Sequence, residues 1–323
     1  MTVPLFVLSS WGCEAAEDGR NRDTISSSVA IAAKARSAVV RIRAQGGMAQ
    51  PEGAGFFVRG RKGEALIATN YHVVWGASSI AFEQSGSVQG KAKLLGIDKA
   101  IDFALLRPDP AVTVAVLDLV DEREIRVGDW LMSVGNFEGV TTAASVGVLS
   151  GRTRLPRASL VGQRLVDHLL TDAVLGPGSS GGPVLDARGS VVGMNTAVAG
   201  RSRGIGIVTP ATLIQHAARE LEQVGHCAHA FGGVEVADDS CAGKEPGAML
   251  VTSVTPEGPA HSAGLQVQDC IVAAHGRSLQ GANEFRRRMF MAKPGTRWSL
   301  DVVRDARRVR VTLLLENAGG RLE

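Results

Sequence analysis

From residue 38 onward, short apolar runs follow one another along the chain, at 38–43, 55–58, 65–69, 79–82, 92–95, 103–106 and 130–134, and again at 144–149, 169–174, 191–195 and 206–209. They are spaced about ten residues apart, with glycine and polar corners between them. That rhythm predicts an all-β sandwich or pair of barrels, because βαβ units need helix-length crossovers. The rhythm breaks at 210–224, where Leu213, Ile214, Ala217, Leu221 and Val224 recur at helical spacing with charges between them. This predicts an amphipathic helix closing a first domain over 29–224. A second, smaller α+β unit over 225–316 follows. It reads as strands at 234–236, 249–254, 270–274, 298–304 and 309–315, with helices at 259–263 and 282–291. Residues 317–323 read as a frayed tail. The polar, serine-rich stretch 14–28 reads as a flexible lead-in to a short helix at 30–36.

A length of 323 residues agrees with two domains, and a composition of 45% hydrophobic and 21% charged residues excludes a disordered chain. The 39 glycines against 4% aromatics form neither a collagen repeat nor a linker tract, so glycine is assigned to turns and close backbone approaches. A net charge of +3 gives no argument for a nucleic-acid or membrane partner. No apolar stretch is long enough for an integral membrane span. Segment 1–28 is a flexible terminus or a targeting segment: Met1 to Leu8 is a short apolar run without a basic start, followed by Cys13. The four cysteines, Cys13, Cys227, Cys241 and Cys270, allow three full pairings, and sequence does not choose among them.

The chemistry concentrates in Thr171-Asp172-Ala173 through Gly178-Ser179-Ser180-Gly181-Gly182-Pro183. A nucleophilic serine needs a tight turn that exposes its Oγ and frees backbone N–H groups for an oxyanion, and flanking glycines permit that backbone. The same residues satisfy the G-x-S-x-G elbow of α/β-hydrolases. That elbow needs a following helix and a later acid and histidine, whereas residues 183–193 spell strand, turn, strand. A His, Asp, Ser order needs the base upstream. Of the two histidines before Ser180, His72 stands where an apolar strand ends in a polar corner, and His168 reads as a barrel surface residue. Asp102, at the mouth of the apolar run 103–106, is the best-placed acid. Asp98 and Asp109 are read as loop acids in solvent.

The segments Thr69-Asn70-Tyr71-His72-Val73-Val74, Asp102-Phe103-Ala104-Leu105-Leu106 and Gly178-Ser179-Ser180-Gly181-Gly182-Pro183 resemble the catalytic motifs of HtrA/Deg serine endoproteases. Ser179 departs from the Asn usual there, and Tyr71 from the frequent Ala. The resemblance implies a chymotrypsin-like double β-barrel with its site between the barrels. It implies Ser180 as nucleophile, His72 as base and Asp102 as its orienting acid. The oxyanion hole would draw on the turn Gly178, Ser179 and Ser180, and substrate would pair along Thr196, Ala197 and Val198. Residues 173–177 would be the activation loop. It implies no cofactor and no metal, unfolded polypeptide substrates, a homotrimer, and a periplasmic or envelope location.

In the second unit, Phe231-Gly232-Gly233-Val234 sets two glycines before an edge strand, which suits backbone capture of a peptide's C-terminal carboxylate. Residues 251–272 resemble the PDZ core, with Gln268 where glycine is usual, and the helix 283–291 would line the groove. Two weaker constellations remain. His226, Cys227, His229 and Cys241 offer zinc-ligand types without a clean motif. Arg286-Arg287-Arg288 reads as the solvated face of a helix. The rival to a protease is a peptide-binding holdase whose protease domain rests in an inactive state.

Overall fold

The computed structural model describes residues 19–46, 52–84, 88–137, 141–154, 167–173, 176–198, 204–238, 241 and 247–319. Residues 1–18 (including Cys13), the centre of the 173–177 loop and residues 320–323, for which expectations were given above, lie outside the described residues. The chain is mostly β. Helix α1 (Gly19–Arg36) leads into β1 (Val39–Gln45), β2 (Glu52–Arg59), β3 (Ala65–Thr69), the one-turn helix α2 (Tyr71–Val74), β4 (Ser79–Gln84), β5 (Gln89–Asp98) and β6 (Phe103–Asp109). These strands close into a barrel in the order β1-β2-β3-β6-β5-β4. Next come β7 (Trp130–Phe137), β8 (Thr141–Arg154), β9 (Asp167–Thr171), β10 (Pro183–Leu185), β11 (Val191–Val198) and β12 (Gly206–Pro210). They close a second barrel, ordered β10-β11-β12-β9-β8-β7, and α3 (Ala211–Val224) follows.

The unbroken apolar runs of β2, β3 and β6 have a simple cause. One face of these strands fills the first barrel, where Ile42, Phe57, Ile67 and Leu106 meet. The other face packs between elements, where Phe56, Leu66, Phe103 and Leu105 join Met132, Val134 and Met194 of the second barrel and Leu213, Ile214 and Leu221 of α3. Strands buried on both faces lose the in-out alternation that marks a half-exposed strand. Helix α1 begins at Gly19, well ahead of the expected 30–36, and its C-terminal turn carries Ala35 into the same core.

The second unit holds β13 (Ala230–Phe231), β14 (Val234–Ala237), β15 (Met249–Val254), α4 (Pro259–Ser262), β16 (Cys270–Ala274), β17 (Arg277–Ser278), α5 (Ala282–Phe290), β18 (Arg297–Arg304), β19 (Arg307–Leu314) and β20 (Glu316–Asn317). The main sheet runs β14-β15-β16-β18-β19, with β17 on β16, while β13 pairs with β20 and ties the start of the unit to its end. Met249, Ile271, Phe285, Trp298 and Leu300 form its core. Cys241 and Cys270 are joined in a disulfide. Gln268 takes the left-handed conformation (φ 78°) that the usual glycine would favour, so the turn is preserved, and its N–H still reaches Val251 O at 3.0 Å.

The two units share a buried contact that corrects several expectations. Phe290 of α5 enters the core formed by the barrels and α3. Arg287, 9% exposed, reaches Glu122 Oε1 of the barrel domain at 3.3 Å. Arg288 pairs within the helix with Glu284 at 2.5 Å, and Arg286 Nη1 donates to Val236 O at 3.2 Å. The three arginines therefore face three surroundings and do not form one solvated face. Docking of α5 also hides His168: it is fully buried in β9 within a small recess that Asn283 and Arg287 help to line.

Candidate active site

Asp102 sits between β5 and β6, at the end of a single 3-10 turn over residues 99–101. Its backbone is left-handed (φ 54°), a conformation an aspartate adopts more readily than most residues and which carries some strain. Four bonds hold it. The carboxylate accepts the His72 backbone N–H at 2.9 Å and His72 Nδ1 at 2.6 Å, while the carbonyl accepts Tyr71 N–H at 3.1 Å and Asn70 Nδ2 at 2.9 Å. A carboxylate facing Nδ1 fixes the hydrogen there and leaves Nε2 as the basic nitrogen. The Asp102 side chain is 3% exposed and that of His72 12%, so the acid is sealed while the ring keeps an open edge. Beside them Tyr71, the only tyrosine of the chain, lies 5.9 Å from Trp75. Partial burial, and secondarily the charge of Asp102, push its phenol above the ordinary range.

Ser180 comes from the other barrel. Its carbonyl accepts Ala54 N–H of β2 at 2.8 Å, which pins the serine turn onto the first barrel. The fit is possible because residue 181 lacks a side chain. Gly181 has φ 88°, and a Cβ there would stand 2.2 Å from Ala54 O, 2.6 Å from Thr69 Oγ1 and 3.1 Å from Asn70 N. The serine turn thus rests on the end of β3, just ahead of His72. Behind it, Gly181 N–H bonds Asn195 O and Asn195 N–H bonds Gly182 O, both at 2.8 Å. Gly178 is also left-handed (φ 88°). The Ser179 N–H is taken by Gly176 O at 3.3 Å, whereas the N–H groups of Gly178 and Ser180 bond no other described residue. Of the three expected donors, the turn therefore leaves two, Gly178 and Ser180, without a bond to a described residue.

In β11, Asn195 pairs with Val208 and Ala197 with Ile207, so Thr196 forms a bulge. Beyond Met194 the strand has β12 on one side and no described strand on the other, since β10 ends its pairing there. Residues 196–198 thus offer an open edge next to the serine turn. Sequence reading missed what lies beneath them. Buried Thr196 Oγ1 meets Thr209 Oγ1 at 2.8 Å and Asn70 Nδ2 at 3.4 Å, and Thr209 Oγ1 donates to Ile101 O at 3.3 Å. These hydroxyls support the 99–101 turn from below. The only sequence signal for them is polar residues at strand positions whose neighbours are apolar.

In the second unit, Phe231, Gly232, Gly233 and Val234 line a groove with Arg286, Met289 and Phe290 of α5. β14 is an edge strand with β15 on one side only. The loop is held from behind, with Gly232 O accepting Ala260 N–H at 2.9 Å and Gly233 O accepting Thr255 N–H at 2.8 Å. A Cβ at Gly232 would stand 2.4 Å from Met289 Sδ, so glycine brings the loop down onto the helix.

Other expectations resolve differently. Asp109 pairs with Lys93 at 2.7 Å on the surface. Asp98 is no solvated loop acid: it is 3% exposed and bonded to His229. With Cys241 in a disulfide and His229 held by Asp98, the four zinc-ligand types do not meet. Among the described residues, no helix is long and apolar enough to cross a membrane.

Comparison with known proteins agrees with this geometry. Residues 53–194 match the family model of the trypsin-like peptidase domain, and residues 233–315 that of the PDZ domain. A probable periplasmic serine endoprotease DegP-like from Chlamydia trachomatis is 32% identical over 271 residues, covering 80% of this chain and 52% of that protein. Protease Do-like 1, chloroplastic, from Arabidopsis thaliana is 30% identical, covering 82% and 64%. The chain spans about half the length of the DegP-like relative. Among solved structures, the HtrA-type protease AlgW with tripeptide superposes with a TM-score of 0.71 at 26% identity, over 89% of this chain and 96% of that one. The two closed barrels, the His72–Asp102 pair beneath the Ser180 turn and the edge-strand groove are thus those of a trypsin-like peptidase domain joined to a PDZ domain, in a chain similar to DegP-like serine endoproteases and to HtrA-type protease structures.

Proposed function

We propose that the protein is a serine endopeptidase acting through an acyl-enzyme. The observation that carries this reading is the sealed Asp102 carboxylate on His72 Nδ1 at 2.6 Å, with the Ser180 turn fastened alongside by the Ala54–Ser180 bond. Ser180 Oγ attacks the scissile carbonyl, and His72 Nε2 takes its proton and returns it to the leaving amine. Asp102 keeps the ring in the required tautomer and stabilises the imidazolium. The N–H groups of Gly178 and Ser180 receive the oxyanion, each worth about 10²–10³ in rate. The open edge of 196–198 pairs with the substrate backbone, which favours extended, unfolded polypeptide over folded protein.

The groove at 231–234 would take a peptide C-terminus as an added strand on β14, with the glycine loop receiving the carboxylate. Such binding fits recruitment or activation of the protease in protein quality control. The names of the relatives favour a periplasmic or envelope location and a homotrimeric assembly follows from the HtrA/Deg resemblance. Among the described residues no hydrogen bond joins Ser180 Oγ to His72. This single observation favours the second reading, a resting protease that binds peptides as a holdase, although such bonds often tighten only when substrate binds. Hydrolysis of unfolded casein by the wild type and its loss in Ser180→Ala supports the protease. Identical behaviour of the two proteins supports the holdase.

A further inference from the structure

The 99–101 turn carries a carboxylate at each end. Asp102 closes it and holds His72, whereas Asp98, the last residue of β5, opens it and accepts the Ala100 N–H at 3.0 Å. Asp98 in turn is gripped from outside the barrel. His229 Nε2 lies 3.0 and 2.9 Å from its two oxygens, with the two side chains only 4% and 2% exposed. His229 belongs to the segment joining the two domains. Its ring stacks on Phe290 of α5 at 3.8 Å and 13°, and its Nδ1 lies 3.3 Å from the Phe290 carbonyl. Both ring nitrogens thus face oxygen acceptors, Nδ1 the Phe290 carbonyl and Nε2 the carboxylate. Gly96 of β5 packs directly under the same segment: a Cβ there would meet Gly225 O at 2.8 Å.

We propose that His229 and Asp98 are positioning residues for the catalytic acid. By gripping Asp98, the imidazole fixes the N-terminal end of the three-residue turn, and with it the left-handed backbone at Asp102 that aims the carboxylate at His72. The His229 ring is braced by Phe290 of α5, a residue that also lines the peptide groove, so the groove and the triad are joined through three consecutive contacts: Phe290 to His229, His229 to Asp98, and the turn to Asp102. Asp102 touches His72 and the others do not. The proposal rests on the protease reading for its kinetic part only.

The test compares His229→Leu, which keeps bulk but loses both ring nitrogens, with His229→Gln, which keeps a donor toward Asp98. Both are made in the full chain and studied well below their unfolding temperatures. The first readout is the far-downfield proton resonance of His72 Nδ1–H, assigned by its absence in His72→Ala. The second is the rate at which a fluorophosphonate labels Ser180. We expect the resonance to move or broaden in His229→Leu, labelling to slow about tenfold, as sub-ångström misplacement of a catalytic group implies, and His229→Gln to recover most of both. An unchanged resonance in folded His229→Leu overturns the proposal, as does an unchanged labelling rate. If wild type itself is not labelled, the protease reading fails while the resonance still decides the inference. Should His229→Leu not fold, Asp98→Asn with the same readouts takes its place.

Discussion

Among the described residues, two histidine–aspartate pairs have acids four positions apart, and they differ in what lies on the far side of the ring. His72 is held by Asp102 through Nδ1 at 2.6 Å and keeps its other edge toward the cleft. His229 has both ring nitrogens occupied, one by Asp98 and one by the Phe290 carbonyl, and is sealed between the domains. The contact chemistry is the same in both pairs. On the protease reading, reactivity follows from leaving one nitrogen free beside a nucleophile, and rigidity follows from satisfying both.

If that contrast is right, damage to the two acids has different consequences. Asp102→Asn should lower turnover by about 10⁴ with little loss of folding stability, because an amide keeps the shape and presents the wrong tautomer to His72. Casein hydrolysis and thermal unfolding measured on one preparation separate the two effects. Asp98→Ala should instead destabilise the fold by about 3–5 kcal/mol, the usual effect of leaving half of a buried pair alone. Urea titration should show a fall in midpoint concentration with an unchanged slope.

Much of this was legible in the sequence, and the limits are physical. The barrel strands and α3 announced themselves because period and turn residues agree at each, and His72 and Ser180 stood out because polar corners and paired glycines interrupt apolar runs. Asp98 was misread because its partner lies 131 residues away in the chain, a distance no local pattern encodes. Arg287 and His168 were misread for the same reason: both are hidden by docking of α5 onto the barrels. The turn at 268 shows the converse. The resemblance marks glycine as usual there and implies an altered turn, yet Gln268 keeps the left-handed conformation.

Smaller effects sharpen the contrast. Thr209→Val removes the hydroxyl that supports both Thr196 and the Ile101 carbonyl under the shared turn. It should cost about 1–2 kcal/mol in chemical denaturation, the scale of one buried hydrogen bond with an orphaned partner. The least effect concerns Cys227, beside the sealed pair. Burial, and next the charge of Asp98, push its thiol far above the ordinary range, so little thiolate exists at neutral pH. Iodoacetamide should therefore leave Cys227 unmodified in the native protein at pH 7 and alkylate it on unfolding, as read by mass spectrometry.

The central claim is that Ser180, served by His72 and Asp102, is a working nucleophile. Incubation with a fluorophosphonate followed by peptide mapping tests it directly. A working triad gives one adduct, on Ser180, which is lost in His72→Ala and strongly slowed in Asp102→Asn. Absence of an adduct in the folded wild type, or an adduct that forms equally fast without His72, would contradict it.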